Sequence, residues 1–485
     1  MKQPPSTRTS RLRRVLALVV VLLAVVGTAS LYLYSGYKRT AALAAAVPER
    51  PPLDSRPPGL HELIASTEEK VRSGPDPVAA LEHLALVYHA NGFLAEAAHC
   101  YEALHALGAP GARWPYRHAF ILAGFGESTR AAELFRLAAR REPSYLPARV
   151  KLGDILLKSG DVDAAARVYA AILADKPDEP YALFGQARCE IERDDWSRAR
   201  HTLERLVAVT NYALGYDLIV SAYERLGMHE RATALRGEHR AWGSFRDIPD
   251  PWMEELLLVS FDAYQLSLAA GAAQGRGDLV TARRRLERAI ACSPESAQLH
   301  YQLGVMLVSA KEYTKAREAL ENCTRLAPDF PDGWSHLSGL YATLGDNARS
   351  DRALEQGLAH CLDSPGLHMM RARRHQDAGR IEAAIADLRA AIHHRPTEPE
   401  AYVELAVLLV GQKREAEAMI EFERALGAEP DHPFALSCLA MHAIEQGDRT
   451  AADAWIRRMA AQPRVTADQR EGVVQNYVHR FGTRP

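Results

Sequence analysis

The sequence predicts an all-α solenoid of about eleven helix-turn-helix units, and three observations carry that prediction. A small residue recurs every 34 positions, a glycine stands five positions before most of its copies, and a proline stands twelve positions after many of them. Residues of hydrophobic type make up 47% and charged residues 25%, with the surplus in Ala and Leu rather than in β-branched or aromatic residues. That balance favours helices over strands. A length of 485 residues would ordinarily suggest about three domains at ~150 residues each, but a repeat array escapes that count because each unit packs only on its neighbours.

Taken from the N-terminus, Lys2, Arg8, Arg11, Arg13 and Arg14 precede an uncharged run from Val15 to Tyr34. Twenty apolar residues in a helix match a hydrocarbon core of ~30 Å. The expectation is a basic cytoplasmic tail over 1–14, a transmembrane signal-anchor helix over 15–36 and an extracytoplasmic remainder, periplasmic in a bacterium. The rival reading is a cleaved signal peptide, with Gly27-Thr28-Ala29 as the small residues at the cut. Prolines at 48, 51, 52, 57 and 58 make 37–60 a stiff Ala/Pro-rich spacer.

The repeat itself begins beyond residue 60. Ala97, Ala131, Ala165 and Ala199 are 34 apart; Ala282, Ala316, Ser350, Ala384, Ala418 and Ala452 form a second run in step, with Ala232 between the two. Five residues earlier stand Gly92, Gly126, Gly160, Gly227, Gly277, Gly345, Gly379 and Gly447, where a helix must end in a turn that glycine enters without strain. Asp194, Lys311 and Lys413 break that rule. Four residues after the small position a large side chain such as Tyr101, Phe135, Tyr169, Leu320 or Phe422 is placed to fill the space between hairpins. The phase slips once: Ala232 to Ala282 is 50 residues, one repeat plus about sixteen. The expected division is a first sub-array over 61–237, an aromatic and proline insertion over 238–256, a second sub-array over 257–465 and a C-terminal capping helix and tail over 466–485. Asp250-Pro251 is a helix start, with the carboxylate as N-cap, so the next hairpin is expected to begin early, near Trp252. Trp242, Phe245 and Trp252 either plug the joint between sub-arrays or form an exposed patch or flap over a groove.

The pattern resembles the tetratricopeptide repeat, most completely in HYQLGVMLVSAKEYTKAREALENCTRLAPD (300–329), WSHLSGLYATLGDNARSDRAL (334–354) and YVELAVLLVGQKREAEAMIEFERALGAEP (402–430). The resemblance implies a right-handed solenoid in which the first helix of each hairpin lines a concave groove for an extended or helical peptide. In the second sub-array it places Tyr264, Ser267, Gln298, Tyr301, Val305, Ser335, Met369, Arg373, Val403, Val407, Phe434 and Met441 there. Family members that clamp a C-terminal carboxylate use Lys and Asn where this chain has Val150 and Asp154, which argues against such a clamp. A single anchor followed by a long array is similar to bacterial envelope assembly factors of this class.

Chemistry is sparse. Lys plus Arg (59) and Asp plus Glu (61) nearly cancel, so no global field draws in nucleic acid. The six cysteines form no CxxC pair; they read as small buried hydrophobes, with a Cys292–Cys323 bridge as the alternative. No GxSxG, GK[ST] loop, HExxH or EF-hand loop is present. His393-His394 and the pairs Glu68-Glu69, Asp194-Asp195 and Glu254-Glu255 read as helix-end or solvated residues. The expected function is therefore a non-enzymatic, membrane-tethered scaffold that binds protein or peptide partners, without cofactor, metal, nucleic acid or small-molecule substrate, in envelope assembly or complex organisation. The alternatives are a permanent subunit of a membrane complex and an enzyme with its site at 238–256.

Overall fold

The computed structural model describes residues 42–43, 45–54, 56–211, 213–238, 248–462 and 464–485. Every regular element among them is a helix, and the chain divides into two compact units, 1–265 and 266–485.

In the first unit, helix Pro58–Ser73 precedes five hairpins: Pro77–Ala90 with Leu94–Ala106, Arg113–Gly124 with Ser128–Arg141, Leu146–Lys158 with Val162–Asp175, Pro180–Glu192 with Trp196–Val209, and Ala213–Arg225 with His229–Glu238. Helix Ala263–Gly275 begins at the boundary and pairs in sequence with Leu279–Cys292. The remaining hairpins of the second unit are Ala297–Ser309 with Tyr313–Leu326, Pro331–Thr343 with Asn347–His360, Pro365–Asp377 with Ile381–His394, Pro399–Gly411 with Glu415–Ala428, and Pro433–Glu445 with Arg449–Ala460. Helix Ala467–Phe481 then packs on the last pair, started by a reciprocal Thr466–Gln469 capping box.

The physics of the repeat is visible at each landmark. The eleven small residues of the 34-residue series are each no more than 1% exposed, so two helices meet at every one. A second small position lies twelve residues earlier: Ala85, Ala119, Gly153, Ala187, Ala270, Gly304, Ser338, Ala372, Ala406 and Ala440 are all buried. Where the first series has Ser350 the second has Ser338, and the two hydroxyls lie 2.9 Å apart, so a polar pair replaces the usual Ala pair and satisfies itself. The residue after the turn glycine is often Asp, and the carboxylates of Asp161, Asp278, Asp346 and Asp448 each cap the second helix.

The turn glycines lie at φ between 70° and 85°. The three positions that lack glycine adopt the same left-handed conformation, Asp194 at 58°, Lys311 at 60° and Lys413 at 59°. Such a backbone costs a side-chain-bearing residue about 1 kcal/mol. Lys311→Gly and Lys413→Gly are expected to stabilise the second unit by about 1 kcal/mol each, read as a rise in the midpoint of urea unfolding at unchanged slope; a fall in the midpoint would contradict the assignment.

Several expectations need correction. The chain is not supported as a single-pass membrane protein: among the described residues no helix is long and apolar enough to cross a membrane. The longest, Pro58–Ser73, has 16 residues and is amphipathic, short of the ~20 apolar residues that a span needs. Residues 15–36 lie outside the described residues. The Pro-rich segment is not a free spacer over its described part, because Leu43, Ala46 and Leu53 bury themselves against the first hairpin. Glu68 is not on a solvated face: it is 2% exposed and bonded by Arg50 (2.6 Å) and Tyr88 (3.0 Å). Burial works to raise its carboxyl, but those hydrogen bonds outweigh it and hold the group below its ordinary value. All six cysteines are free thiols, and burial pushes Cys100 up to about 12 and Cys189, Cys323 and Cys438 up to about 11. Those four thiols remain protonated and unreactive at neutral pH.

Candidate functional site

Counting from the small residue of the 34-residue series defines a stripe on every first helix, at 18, 15, 14 and 11 positions before it. These offsets fall on one face of a helix. In the second unit the stripe carries Gln298, Tyr301 and Val305 on one helix, Ser335 and His336 on the next, then Arg373, then Val403, Glu404 and Val407, then Phe434 and Met441.

Neighbouring first helices touch along this stripe. The rings of Tyr301 and His336 meet edge to face at 5.1 Å, and Phe330 closes on Tyr301 at the same distance. Arg373 donates to Glu404 across the next pair, with Nε 3.1 Å from Oε1. Val407 is 42% and Phe434 48% exposed, and Gln298 is also exposed. Ser335 and Met441 are half-buried, Met441 leaning on the core of its hairpin. Met369 is not available on the face: it is 9% exposed and belongs to the core with Ala372 and Leu388. Tyr264 is 68% exposed, at the start of helix Ala263–Gly275, and falls in the first unit. Asp154, at the position compared with a carboxylate clamp, accepts from Tyr169 at 2.8 Å.

In the first unit the stripe is covered at the first helices of its first two hairpins. Ile248 to Phe261 runs along the first helices as a strap, in two short turns, Pro251–Glu254 and Leu256–Val259. The expected early start of the next hairpin is thereby corrected: the chain breaks at Ser260 before helix Ala263–Gly275 begins. Asp250 does cap the first turn, accepting from the Met253 N–H at 3.1 Å. The same carboxylate accepts from the Tyr116 and Tyr145 hydroxyls, each at 2.5 Å. Trp252 does not form an exposed patch. It is 8% exposed, lies flat on Tyr145 with ring centres 3.5 Å apart, and its backbone N–H donates to the Tyr145 hydroxyl at 3.0 Å. Trp242 and Phe245 lie outside the described residues.

Arg117 is 2% exposed; its guanidinium donates to the Trp252 carbonyl at 2.9 Å and to the Glu255 carboxylate, which Arg113 also approaches at 3.4 Å. Glu255 is thus an ion-pair partner rather than a solvated acid. Farther along, the Asn91 side chain donates to the Val259 carbonyl at 3.0 Å and accepts the Phe261 N–H at 2.6 Å. The Phe261 ring lies over Gly59, where a Cβ would come within 2.9 Å of it. Burial, and then the bond to Asp250, push the Tyr145 phenol well up, so it stays a donor. None of Asn91, Tyr116, Arg117 and Tyr145 was singled out in the sequence. The available signal was an aromatic and a cation at adjacent stripe positions, together with an insertion too long for a tight turn.

Two other polar clusters are present among the described residues. Glu400, Glu429 and His432 lie close enough together to hold an ion, but Arg464 pairs with Glu429 and stands 3.7 Å from Asp431. A cleft of about 730 Å³ between the helices Leu94–Ala106 and Ser128–Arg141 reaches the buried His118, whose imidazole burial depresses to about 4. That ring stacks on Tyr101.

Comparison with known proteins agrees with the geometry. The tetratricopeptide-repeat family model matches residues 116–180, 150–213, 268–329 and 369–433. A tetratricopeptide-repeat-containing protein of Pseudomonas aeruginosa is 34% identical over 74 residues, covering 15% of this chain and 70% of that protein. Cellulose synthase operon protein C of Xanthomonas axonopodis is 26% identical over 379 residues, 76% of this chain. The chain spans only 22% of that relative's length. The crystal structure of PilW, a type IV pilus biogenesis factor, aligns with a TM-score of 0.36 at 17% identity, over 44% of this chain and 98% of its own. With the repeat model matching at four places and most of a relative covered, this chain belongs to the tetratricopeptide-repeat family, whose hairpin arrays are protein-interaction scaffolds.

Proposed function

We propose that the chain is a scaffold whose second unit recruits a peptide segment of a partner protein on its first-helix stripe. The observation that carries this reading is the exposed, mixed character of that stripe. Phe434 and Val407 offer apolar area, Tyr301 and His336 an aromatic pair, and Arg373 with Glu404 an exposed ion pair. Aromatic anchors flanked by a polar rim suit an amphipathic helix or extended segment better than a small substrate.

Crosslinking capture from the native cells, comparing wild type with a Tyr301→Ala, Val407→Ala, Phe434→Ala variant, tests it. Loss of one dominant partner by about tenfold or more, with helicity and melting unchanged, is expected. An unchanged partner set would remove the stripe as the recruiting site and favour a permanent complex held through the second helices, where Val280 and Ile420 are 65% and 49% exposed.

A further inference from the structure

The strap Ile248–Phe261 has the makings of a bound peptide rather than of a repeat. It crosses the stripe of the second hairpin: Arg113, Tyr116 and Arg117 stand 18, 15 and 14 residues before Ala131. Its four-residue turns are too short to be stable alone, and Leu256–Val259 buries its side chains only in part, with Leu258 72% exposed. What holds it are recognition contacts. One carboxylate, of Asp250, sits between two tyrosine hydroxyls, an indole is stacked on Tyr145, and a second carboxylate, of Glu255, meets a buried guanidinium. The Asn91 amide reads the backbone two residues apart, at Val259 and Phe261, as a side chain does when it clamps an extended ligand. Arg117 is the strongest of these anchors, because a guanidinium 2% exposed directs all of its hydrogen bonds among the described residues to the strap. A buried cation of that kind needs an anionic partner whenever the face is closed over.

We propose that the first-helix face of the first unit is a binding site for a partner segment with the pattern acid-x-Trp-x-x-acid, and that residues 248–261 are an internal ligand masking it until such a segment displaces them. The occupant follows from the receptor groups: paired phenol donors select a carboxylate, the Tyr145 face selects a flat aromatic two residues on, and Arg113 with Arg117 select the second acid. The proposal does not depend on whether the second unit's stripe recruits a partner.

The probe is a labelled synthetic peptide of residues 248–262, titrated by fluorescence anisotropy into the full chain, either wild type or Asp250→Ala, Glu255→Ala. An occupied face lowers apparent affinity by the fraction of time it is open. The strap-weakened chain should therefore bind the peptide at least about tenfold more tightly than wild type does. Adding Tyr116→Phe and Tyr145→Phe to the weakened chain should reverse most of that gain, and should do so for the native peptide but not for one with Asn in place of Asp250. Equal binding by wild type and the weakened chain overturns the proposal. So does loss of helicity or of cooperative melting in the weakened chain, which would make the strap a structural part of the unit. Concentration-dependent dimerisation without peptide uptake also overturns it, in favour of a second copy of the chain as occupant.

Discussion

Replacing Asp387 by alanine is expected to destabilise the second unit by about 3 kcal/mol. Asp387 is 5% exposed on the second helix of its hairpin and receives a bidentate pair from Arg371 on the first, 2.6 and 2.9 Å, with the His368 Nδ1 at 3.2 Å and the His375 Nε2 at 3.5 Å. Burial alone would raise its carboxyl. The hydrogen bonds from His368 and Arg371 outweigh that and hold it below the ordinary range. A carboxylate depressed in the folded state contributes stability that is present above the unfolded value of about 4 and is lost as pH falls through the lower folded value. Acid titration of the wild type should show this component below about pH 4, and Asp387→Asn should lack it. Unfolding curves of Asp387→Ala that superimpose on wild type at pH 7 would show that the cluster holds nothing together.

Gly185→Ala should cost the first unit about 2–4 kcal/mol despite the better helix propensity of alanine. An added Cβ would lie 2.2 Å from Cζ and 2.3 Å from Cε1 of Tyr169. That ring cannot retreat, because it is fully buried, its hydroxyl is tied to Asp154 at 2.8 Å, and Gly153 also packs on it, where a Cβ would come within 2.6 Å of Cζ. Two glycines from successive first helices thus make room for one tyrosine. The double variant Gly185→Ala, Tyr169→Leu should recover part of the loss in a thermal melt. Additive losses would mean that the two positions do not meet as described.

The period of small residues was legible because every copy of it is a helix crossing, and a crossing tolerates almost nothing larger than alanine or serine. The turn positions were legible for the same reason: a left-handed backbone shows itself as glycine, and even its exceptions, Lys311 and Lys413, kept the conformation. What could not be read were features without a period. Asp250-Pro251 announces a helix start, yet nothing in its sequence says that the turn ends after Glu254 or that its carboxylate faces two tyrosines more than a hundred residues away. Tyr116 and Arg117 look like any polar positions on a repeat helix until their partner is known. Met369 misled in the opposite direction, because the offset that carries Tyr301 on one first helix places a methionine in the core two hairpins later.

On the proposed function, the second unit's first-helix stripe is where a partner docks. Photo-crosslinking amino acids placed singly at positions 298, 336, 407 and 434 of the full chain, with 280 and 420 on second helices for comparison, test it in the native cells. The account predicts crosslinks to one common partner from the four stripe positions and at most weak ones from the other two. Crosslinks confined to 280 and 420, or equal at all six, would contradict it.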